Sequence, residues 1–278
     1  MSSNKKRVAF IIPYFGRFRW YLNFFLHTCK YNPDFDFIFI TDNGLPVKPL
    51  SKNILVIKKT FGEVRDLVKK KLQLDISLDY PYKICDFRPA YGVIFNDILK
   101  PYDFWGYVDE DVILGNLKKF ITQKMLAEYD VITLRHDYLV GCLTIYKNSR
   151  KINLLFTKSR DYKKVFSYPY NLGFDETNFH FIEFHEGAHY SQVISEYESM
   201  THLVKRMNED NYIKPYFNFS MLEDLPGRIK WQKGKVIYKN EYEAALYHLI
   251  QLKKIYTPTR PIKKIPDTFY ISRNKLYW

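Results

Sequence analysis

The stretch Tyr102–Leu117 reads YDFWGYVDEDVILGNL, and the predicted architecture depends on it more than on any other part of the chain. Its centre, Trp105–Val108, is a short apolar and aromatic run with the composition of a β-strand. Three acids follow directly, Asp109, Glu110 and Asp111, before apolar residues resume. Side chains alternate between the two faces of a strand, so the pattern predicts Asp109 and Asp111 on one face and Glu110 on the other.

Two carboxylates that share one face repel each other unless a cation or a proton lies between them. A divalent metal ion is the simplest partner for Asp109 and Asp111, because hard cations such as Mg²⁺ prefer oxygen ligands. The alternative is a solvated acidic turn. The position of the acids inside an apolar run favours the metal site.

Two earlier segments predict strands that end in polar loops. Arg7–Ile12 is a buried-strand pattern that stops at a proline, and Phe35–Ile40 repeats the pattern before Thr-Asp-Asn-Gly. In open α/β sheets, ligands bind at the carboxyl ends of the strands. The residues predicted to meet a ligand there are Pro13, Tyr14, Phe15 and Asp42. Asp42 has an open alternative, because Asp-Asn-Gly is also a good turn sequence.

The segment Tyr82–Gly92 is rich in both charge and aromatic side chains and precedes a predicted helix that extends to Leu99. Lys83 and Arg88 are suited to neutralising phosphates, arginine through its planar bidentate fork. Asp86 is expected to pair with one of these cations or to bind a hydroxyl group. An ion pair at the start of a helix is the alternative for all three.

Periodicity predicts the remaining elements. The predicted strands are Asn53–Lys58, Asp130–Leu134 and Leu139–Tyr146, with a hairpin or strand pair over Trp231–Asn240. The predicted helices are Trp20–Cys29, Phe61–Leu72, Arg150–Thr157 and Ser195–Glu209. Strands that alternate with helices favour an α/β protein, and 278 residues suffice for one large core.

Four segments in this order resemble GT-A-fold glycosyltransferases, in particular a bacterial set found among capsule and O-antigen polysaccharide genes. The segments are PYFG (13–16), TD (41–42), KICDFRPAYG (83–92) and WGYVDEDVILGNL (105–117). The resemblance extends over most of the chain. It implies a single α/β domain, GT-A-like or Rossmann-like, with a mixed central sheet flanked by helices. The nucleotide-binding half would span about 1–115 and the acceptor half about 116–256, followed by a basic aromatic tail at 257–278.

In that fold, a D-x-D motif holds Mn²⁺ or Mg²⁺ against the diphosphate of a nucleotide-sugar, and Asp109 and Asp111 match it. A late histidine can complete the metal shell, and a lysine a few residues on contacts the diphosphate. His248, followed by Lys253 or Lys254, matches that order of histidine and lysine. An imidazole beside carboxylates suits Mn²⁺. A core or surface histidine is the alternative.

The resemblance also places a carboxylate near the acceptor, at Asp175 or, as second choice, Glu176. An inverting transferase needs such a base, because the acceptor hydroxyl loses its proton as it attacks. Acids at the N-terminus of a helix are the alternative. The implied activity is metal-dependent hexosyl transfer from a nucleotide-diphosphate donor, most simply a UDP-sugar, to a glycan or lipid-linked acceptor in surface polysaccharide biosynthesis. Whether the enzyme inverts or retains is left open.

A different motif lies downstream. His185, Glu186 and His189 match H-E-x-x-H, in which two histidines one helical turn apart bind Zn²⁺ and the glutamate activates water. A zinc-dependent hydrolase is therefore an alternative function, although it leaves the strand-borne Asp109 and Asp111 unexplained. A chance match involving surface histidines is a third interpretation.

The net charge of +13 would also suit a non-enzymatic protein that binds nucleic acid or an anionic membrane. The nucleic-acid-binding signatures are missing from the sequence, so no nucleic acid is expected as a partner. The chain has neither a signal-peptide pattern nor a run of eighteen apolar residues, which predicts a cytoplasmic protein. The tail suits peripheral contact with the inner face of the membrane or, alternatively, packing on its own domain. The three cysteines are predicted to be buried thiols.

Overall fold

The computed structural model describes residues 5–46, 49–225, 227–259, 262 and 264–278. Its strands are β1 (Val8–Pro13), β2 (Phe35–Thr41), β3 (Ile54–Lys58), β4 (Phe104–Val108), β5 (Val112–Leu114), β6 (Val131–Thr133), β7 (Leu143–Lys147), β8 (Pro215–Phe217), β9 (Met221–Glu223), β10 (Ile229–Gln232), β11 (Lys235–Tyr238), β12 (Tyr242–Ala244), β13 (Leu246–His248), β14 (Thr268–Ile271) and β15 (Leu276–Tyr277).

The α-helices are α1 (Leu22–Cys29), α2 (Phe61–Leu72), α3 (Tyr91–Ile94), α4 (Asn96–Leu99), α5 (Leu117–Phe120), α6 (Gln123–Glu128), α7 (Arg150–Asn153), α8 (Tyr162–Ser167), α9 (Phe181–His185), α10 (Met200–Glu209) and α11 (Leu252–Ile255). Short 3₁₀ helices cover Pro81–Ala90, Leu155–Lys158 and Tyr190–Gln192. Within the described ranges, no helix has the length and apolar character needed to cross a membrane.

The central sheet has seven strands in the order β3-β2-β1-β4-β7-β6-β8. Strand β7 runs antiparallel to both of its neighbours, and the other pairings are parallel. Apolar clusters cover both faces of this sheet, which is why β1 reads as a continuous hydrophobic run. The predicted class, a single α/β domain with a mixed central sheet flanked by helices, is confirmed.

Two smaller sheets adjoin the central one. Strands β5, β13 and β9 form the first, and the second has the order β12-β11-β10-β14-β15. Trp231 is fully buried and donates a hydrogen bond from its indole nitrogen to the Leu114 carbonyl, 2.9 Å away, which joins the two sheets. Strands β14 and β15 lie within the segment predicted to be a tail, so that segment pairs with the domain. Arg260 and Lys263 of its basic cluster lie outside the described residues.

Several predicted elements are confirmed closely. Helix α2 has the predicted bounds and begins with a capping box, in which Thr60 and Glu63 satisfy each other's backbone N–H groups. The predicted hairpin is the pair β10–β11, whose turn places Lys233 and Gly234 at φ of 45° and 83°. Cys29 and Cys142 are buried as predicted, and Cys85 is half-buried.

The strand predicted over Leu139–Tyr146 begins only at Leu143. Its first backbone N–H groups bond to side chains instead of to a neighbouring strand: Leu139 donates to Thr201, and Gly141 donates to Glu176. Helix α10 likewise starts at Met200 rather than at Ser195, because Ser199 caps it. The helix predicted over Arg150–Thr157 is split into α7 and a 3₁₀ turn, and α1 begins two residues late.

Gly106, in the middle of β4, should not tolerate a side chain. A Cβ atom there would lie 2.5 Å from the Thr144 carbonyl oxygen, in the backbone of the adjacent strand β7. We expect Gly106→Ala to lower the free energy of unfolding by about 1–3 kcal/mol through overpacking, measured by urea denaturation. Gly44→Ala is the control, because no atom lies within 4 Å of the Cβ built there. Equal stability of the two variants would contradict this prediction.

Candidate metal centre and donor cavity

The three consecutive acids lie where the chain passes from the central sheet into a smaller one. Strand β4 ends at Val108 and β5 begins at Val112, so Asp109, Glu110 and Asp111 form the turn between them. Two backbone bonds fix this turn, from the Asp109 N–H to the Cys142 carbonyl and from the Leu249 N–H to the Asp111 carbonyl, at 3.1 and 2.9 Å. The acids are therefore not part of a continuous strand.

The alternation predicted for this segment is consequently wrong for one residue. Glu110 lines the same cavity as Asp109 and Asp111, rather than pointing to the opposite face. A turn does not impose the two-residue period of a strand.

Asp109 and Asp111 meet His248, the last residue of β13. Strand β13 pairs antiparallel with β5, and His248 lies opposite Val112 in the register, next to the acidic turn. Ligand atoms of the three side chains all lie within 4.8 Å of one another. Among the residues that the structure describes, no other group of three histidine, cysteine or acidic side chains is this close.

The surroundings of His248 fit a metal ligand. Its Nδ1 lies 3.1 Å from Glu223 Oε2, whereas its Nε2 is buried and has no hydrogen-bond partner in the described part of the chain. That Nε2 faces the acids, 3.5 Å from Asp111 Oδ2. One imidazole nitrogen beside two carboxylates is a donor set that suits a divalent ion such as Mn²⁺.

Electrostatics favour charge on His248 and on Asp111. Burial lowers the pKa of His248, but the carboxylates of Asp111 and Glu223 more than offset this and raise it to about 10. Burial likewise opposes ionisation of Asp111, yet His248 and Lys253 outweigh it and hold the pKa of that carboxyl below its usual value. Lys253 contacts Asp111 directly. The carboxylates therefore form a negatively charged site that is stabilised by neighbouring cations.

A cavity of about 600 Å³ opens over this group. Residues at the carboxyl ends of β1 and β4 line it, as expected for ligand sites in α/β sheets. Of the predicted donor-binding residues, those in the cavity wall are Pro13, Tyr14, Phe15, Arg88, Asp109 and Lys253. The predicted bases Asp175 and Glu176 and the predicted ligands Asp111 and His248 also belong to its lining.

Arg88 connects the two groups of acids in the cavity. Its Nη2 contacts Asp109, and its Nη1 donates to Asp175 at 2.9 Å and to the Gly141 carbonyl at 3.0 Å. The guanidinium also lies 5.1 Å from the centre of the Tyr107 ring, within cation–π range. Arg88 is therefore fixed at the boundary between the metal group and the predicted base.

Asp175 and Glu176 lie in a turn rather than at the start of a helix, so the helix-dipole alternative does not apply to them. Asp175 is buried and Glu176 is half-buried, and desolvation raises the pKa of each carboxyl. Glu176 accepts a 2.6 Å hydrogen bond from the Gly141 N–H.

Lys83 and Asp86 form an ion pair with each other, which was the alternative interpretation of these two residues. Both side chains are fully buried and 2.8 Å apart, and neither residue lines the cavity. The Lys83 ammonium also donates to the carbonyls of Val165 and Tyr170, at 2.9 and 2.8 Å. An ammonium has three N–H donors, so none is left for a phosphate. The interpretation of Lys83 as a phosphate contact was therefore wrong.

Two further predicted donor contacts lie outside the cavity wall. Asp42 accepts hydrogen bonds from the Gly16 N–H and from Asn43 Nδ2, at 3.4 and 2.9 Å, so its carboxylate links the loops that follow β1 and β2. Lys254 is exposed and follows Lys253 in α11, but it does not line the cavity.

The H-E-x-x-H segment does not have zincin geometry. Helix α9 ends at His185, and Gly187 has a positive φ of 86°, so the two histidines are not on one helix. His185 Nδ1 lies 3.1 Å from Asp137, whereas His189 Nε2 lies 2.7 Å from Glu209. The two imidazoles are thus engaged by different carboxylates.

Sequence reasoning missed Glu223, the last residue of β9. It lines the cavity and contacts His248. The surrounding sequence, MLEDLPG, carries no motif that would single it out, because its partner is 25 residues away.

Fold and site together define an α/β protein with a candidate Asp-Asp-His metal centre in a cavity of about 600 Å³. The chain belongs to a family of unknown function, DUF6625, whose model matches residues 10–277. No protein with a curated description matches it.

Among solved structures, the chain is similar to two of the glycosyltransferase GlyE from Streptococcus pneumoniae TIGR4. For the first, the identity is 14%, the TM-score is 0.31, and 58% of this chain and 42% of that chain are covered. For the second, an apo form, the identity is 12%, the TM-score is 0.32, and the coverage is 77% and 45%. This chain thus spans less than half the length of either structure.

Proposed function

We propose that this protein is a metal-dependent glycosyltransferase that moves a sugar from a nucleotide-diphosphate donor to a glycan or lipid-linked acceptor. The observation that carries the proposal is the Asp109–Asp111–His248 group, with Arg88 and Lys253 in contact with its acids, at the floor of a 600 Å³ cavity. Carboxylates, an imidazole and flanking cations together suit a metal-bound diphosphate.

Each group has a role in this proposal. A divalent ion held by Asp109, Asp111 and His248 would supply Lewis-acid stabilisation of the departing diphosphate. Arg88 and Lys253 neutralise phosphate charge, while Pro13, Tyr14 and Phe15 contact the nucleotide. Asp175, or Glu176 as second choice, accepts the acceptor's proton if the reaction inverts.

We also propose how the domain is divided, and which donor and which metal ion it uses. Residues 1–115 would form the donor half and 116–256 the acceptor half, with a UDP-hexose as the first donor to test and Mn²⁺ or Mg²⁺ as the ion. A role in surface polysaccharide synthesis rests on the sequence resemblance, and contact with an anionic membrane rests on the basic and aromatic residues of the segment 257–278.

A thermal-shift panel tests the proposal. We expect UDP or GDP to raise the melting temperature only when Mn²⁺ is present, because the ion joins the acids to the diphosphate. At a ligand concentration about 100 times the Kd, the gain is about 2.7 kcal/mol, which corresponds to roughly 5–10 °C for a chain near this size. UMP is the matched control, since it lacks the second phosphate. If no nucleoside diphosphate shifts the melting temperature with Mn²⁺, the proposal is wrong.

A further inference from the structure

Glu223 and His248 are held side by side by the small sheet. Strands β9 and β13 are parallel neighbours, and Glu223 is the register partner of His248. Residues paired in this way project on the same side of a sheet, so the contact between the two side chains is set by the backbone. Glu223 Oε2 lies 3.1 Å from His248 Nδ1.

The other oxygen of Glu223 is fixed by Arg135. Arg135 Nη1 donates to Glu223 Oε1 at 3.1 Å. The guanidinium is itself held by Asp137 through a two-pronged contact, from Nε at 2.8 Å and from Nη2 at 2.5 Å. Arg135 and Asp137 are both buried, with side chains 8% and 3% exposed. Both oxygens of the Glu223 carboxylate therefore have assigned donors.

This arrangement decides which imidazole nitrogen is available. A carboxylate can only accept a hydrogen bond, so Nδ1 must carry the proton that it donates to Glu223. The buried Nε2, which has no partner among the described residues, is then the nitrogen that faces Asp109 and Asp111, where a divalent ion would take the place of its proton. A neutral imidazole with this tautomer is the form that ligates a metal ion.

We propose that Glu223, held by the Arg135–Asp137 pair, is a positioning residue that fixes the tautomer and ring orientation of His248 for metal binding. The proposal rests on the metal site of the proposed function. It assigns Glu223 no direct contact with donor or acceptor. It also gives a role to Arg135 and Asp137, which neither the D-x-D motif nor the predicted donor contacts include.

The competing explanation is that Glu223 merely neutralises Arg135. The two explanations predict different results for a Glu223 variant, because Arg135 keeps its contacts with Asp137 when Glu223 is changed. A purely structural Glu223 would affect stability and leave metal binding unchanged. A positioning Glu223 changes the affinity for the ion and the coordination of the imidazole.

The test is titration of the full-length protein with Mn²⁺ alone, followed by electron paramagnetic resonance. Pulsed measurements on the bound ion report coupling to an imidazole ¹⁴N nucleus when His248 is a ligand. We expect the wild type to bind one Mn²⁺ with this coupling. In Glu223→Ala, we expect the affinity to fall by about 10–100-fold, as is typical when an outer-shell partner is removed, and the nitrogen coupling to weaken or disappear.

Glu223→Gln covers the case in which the alanine variant does not fold, as judged by circular dichroism. The amide has one acceptor oxygen for two donors, Arg135 and His248, so we expect an intermediate loss of about tenfold. The matched control is Glu128→Gln, which removes an exposed ion pair with Lys214 and should bind Mn²⁺ as the wild type does.

The outcomes separate the two proposals. Wild-type affinity and nitrogen coupling in Glu223→Ala, or in Glu223→Gln if the alanine variant is unfolded, would overturn the positioning role. Failure of the wild type to bind Mn²⁺ would overturn the metal site itself, and with it the proposed function. Weaker binding in the Glu223 variants beside an unchanged Glu128→Gln protein supports the inference.

Discussion

Replacing Asp111 with asparagine is expected to lower the metal-dependent turnover of a nucleotide-sugar by about a thousandfold while the protein remains folded. Asp111 is the most connected acid of the metal group, because it contacts Lys253 and lies 3.5 Å from His248 Nε2. Asparagine keeps the shape of the side chain and removes its charge. Loss of a preorganised electrostatic partner in an active site typically costs about 10²–10³ in rate, and a weakened metal site adds to that loss.

The measurement does not require the acceptor to be known. Slow hydrolysis of a UDP-sugar with Mn²⁺ releases UDP, which a coupled assay can follow in both wild type and variant. Asp97→Asn is the control, since Asp97 is 65% exposed and pairs with Lys71 away from the cavity. Wild-type turnover by a folded Asp111→Asn protein would remove Asp111 from the proposed mechanism.

The sequence was informative where local pattern and chemistry coincide. Continuous apolar runs predicted β1 and β2 because parallel strands are buried on both faces. The acids after β4 predicted a metal site, and the structure brings Asp109 and Asp111 together with His248 in an arrangement that could hold an ion. Periodicity predicted the bounds of α2, and the capping box of Thr60 and Glu63 shows why the helix begins at Phe61.

Prediction failed where a side chain's role depends on distant partners. Lys83 is 82 and 87 residues from the carbonyls that it contacts, and no local pattern encodes those distances. The Lys83 ammonium was therefore expected to bind a phosphate of the ligand, although it is buried in the interior of the protein. Glu223 was overlooked for the same reason, because only the pairing of β9 with β13 brings it to His248.

The H-E-x-x-H match failed for a more local reason. Zincin chemistry needs His185 and His189 on one helical turn, which a five-residue sequence pattern does not guarantee. Gly187 between them adopts a left-handed conformation that ends the helix, as glycine commonly does at a helix C-terminus. The glycine inside the motif was thus the residue to weigh more heavily.

Replacing Lys83 with methionine should produce the largest loss of stability among the variants considered. Methionine fills a similar volume but leaves the fully buried Asp86 carboxylate without its cation. It also leaves the Val165 and Tyr170 carbonyls without their donor. Breaking a buried ion pair by removing one partner costs about 3–5 kcal/mol, and we expect a loss of that size in the free energy of unfolding, measured by urea denaturation.

The loss should matter for the site as well as for the fold. Asp86 accepts hydrogen bonds from the Leu172 and Phe174 N–H groups, both at 2.9 Å, and this loop leads directly into Asp175. Lys100→Met is the matched control, because Lys100 is 74% exposed and such surface changes usually lie within about 0.5 kcal/mol of the wild type. If Lys83 instead contacted the donor's phosphates, Lys83→Met would retain wild-type stability and lose affinity for Mn²⁺–UDP. That opposite pattern would contradict the buried pair and restore the ligand role.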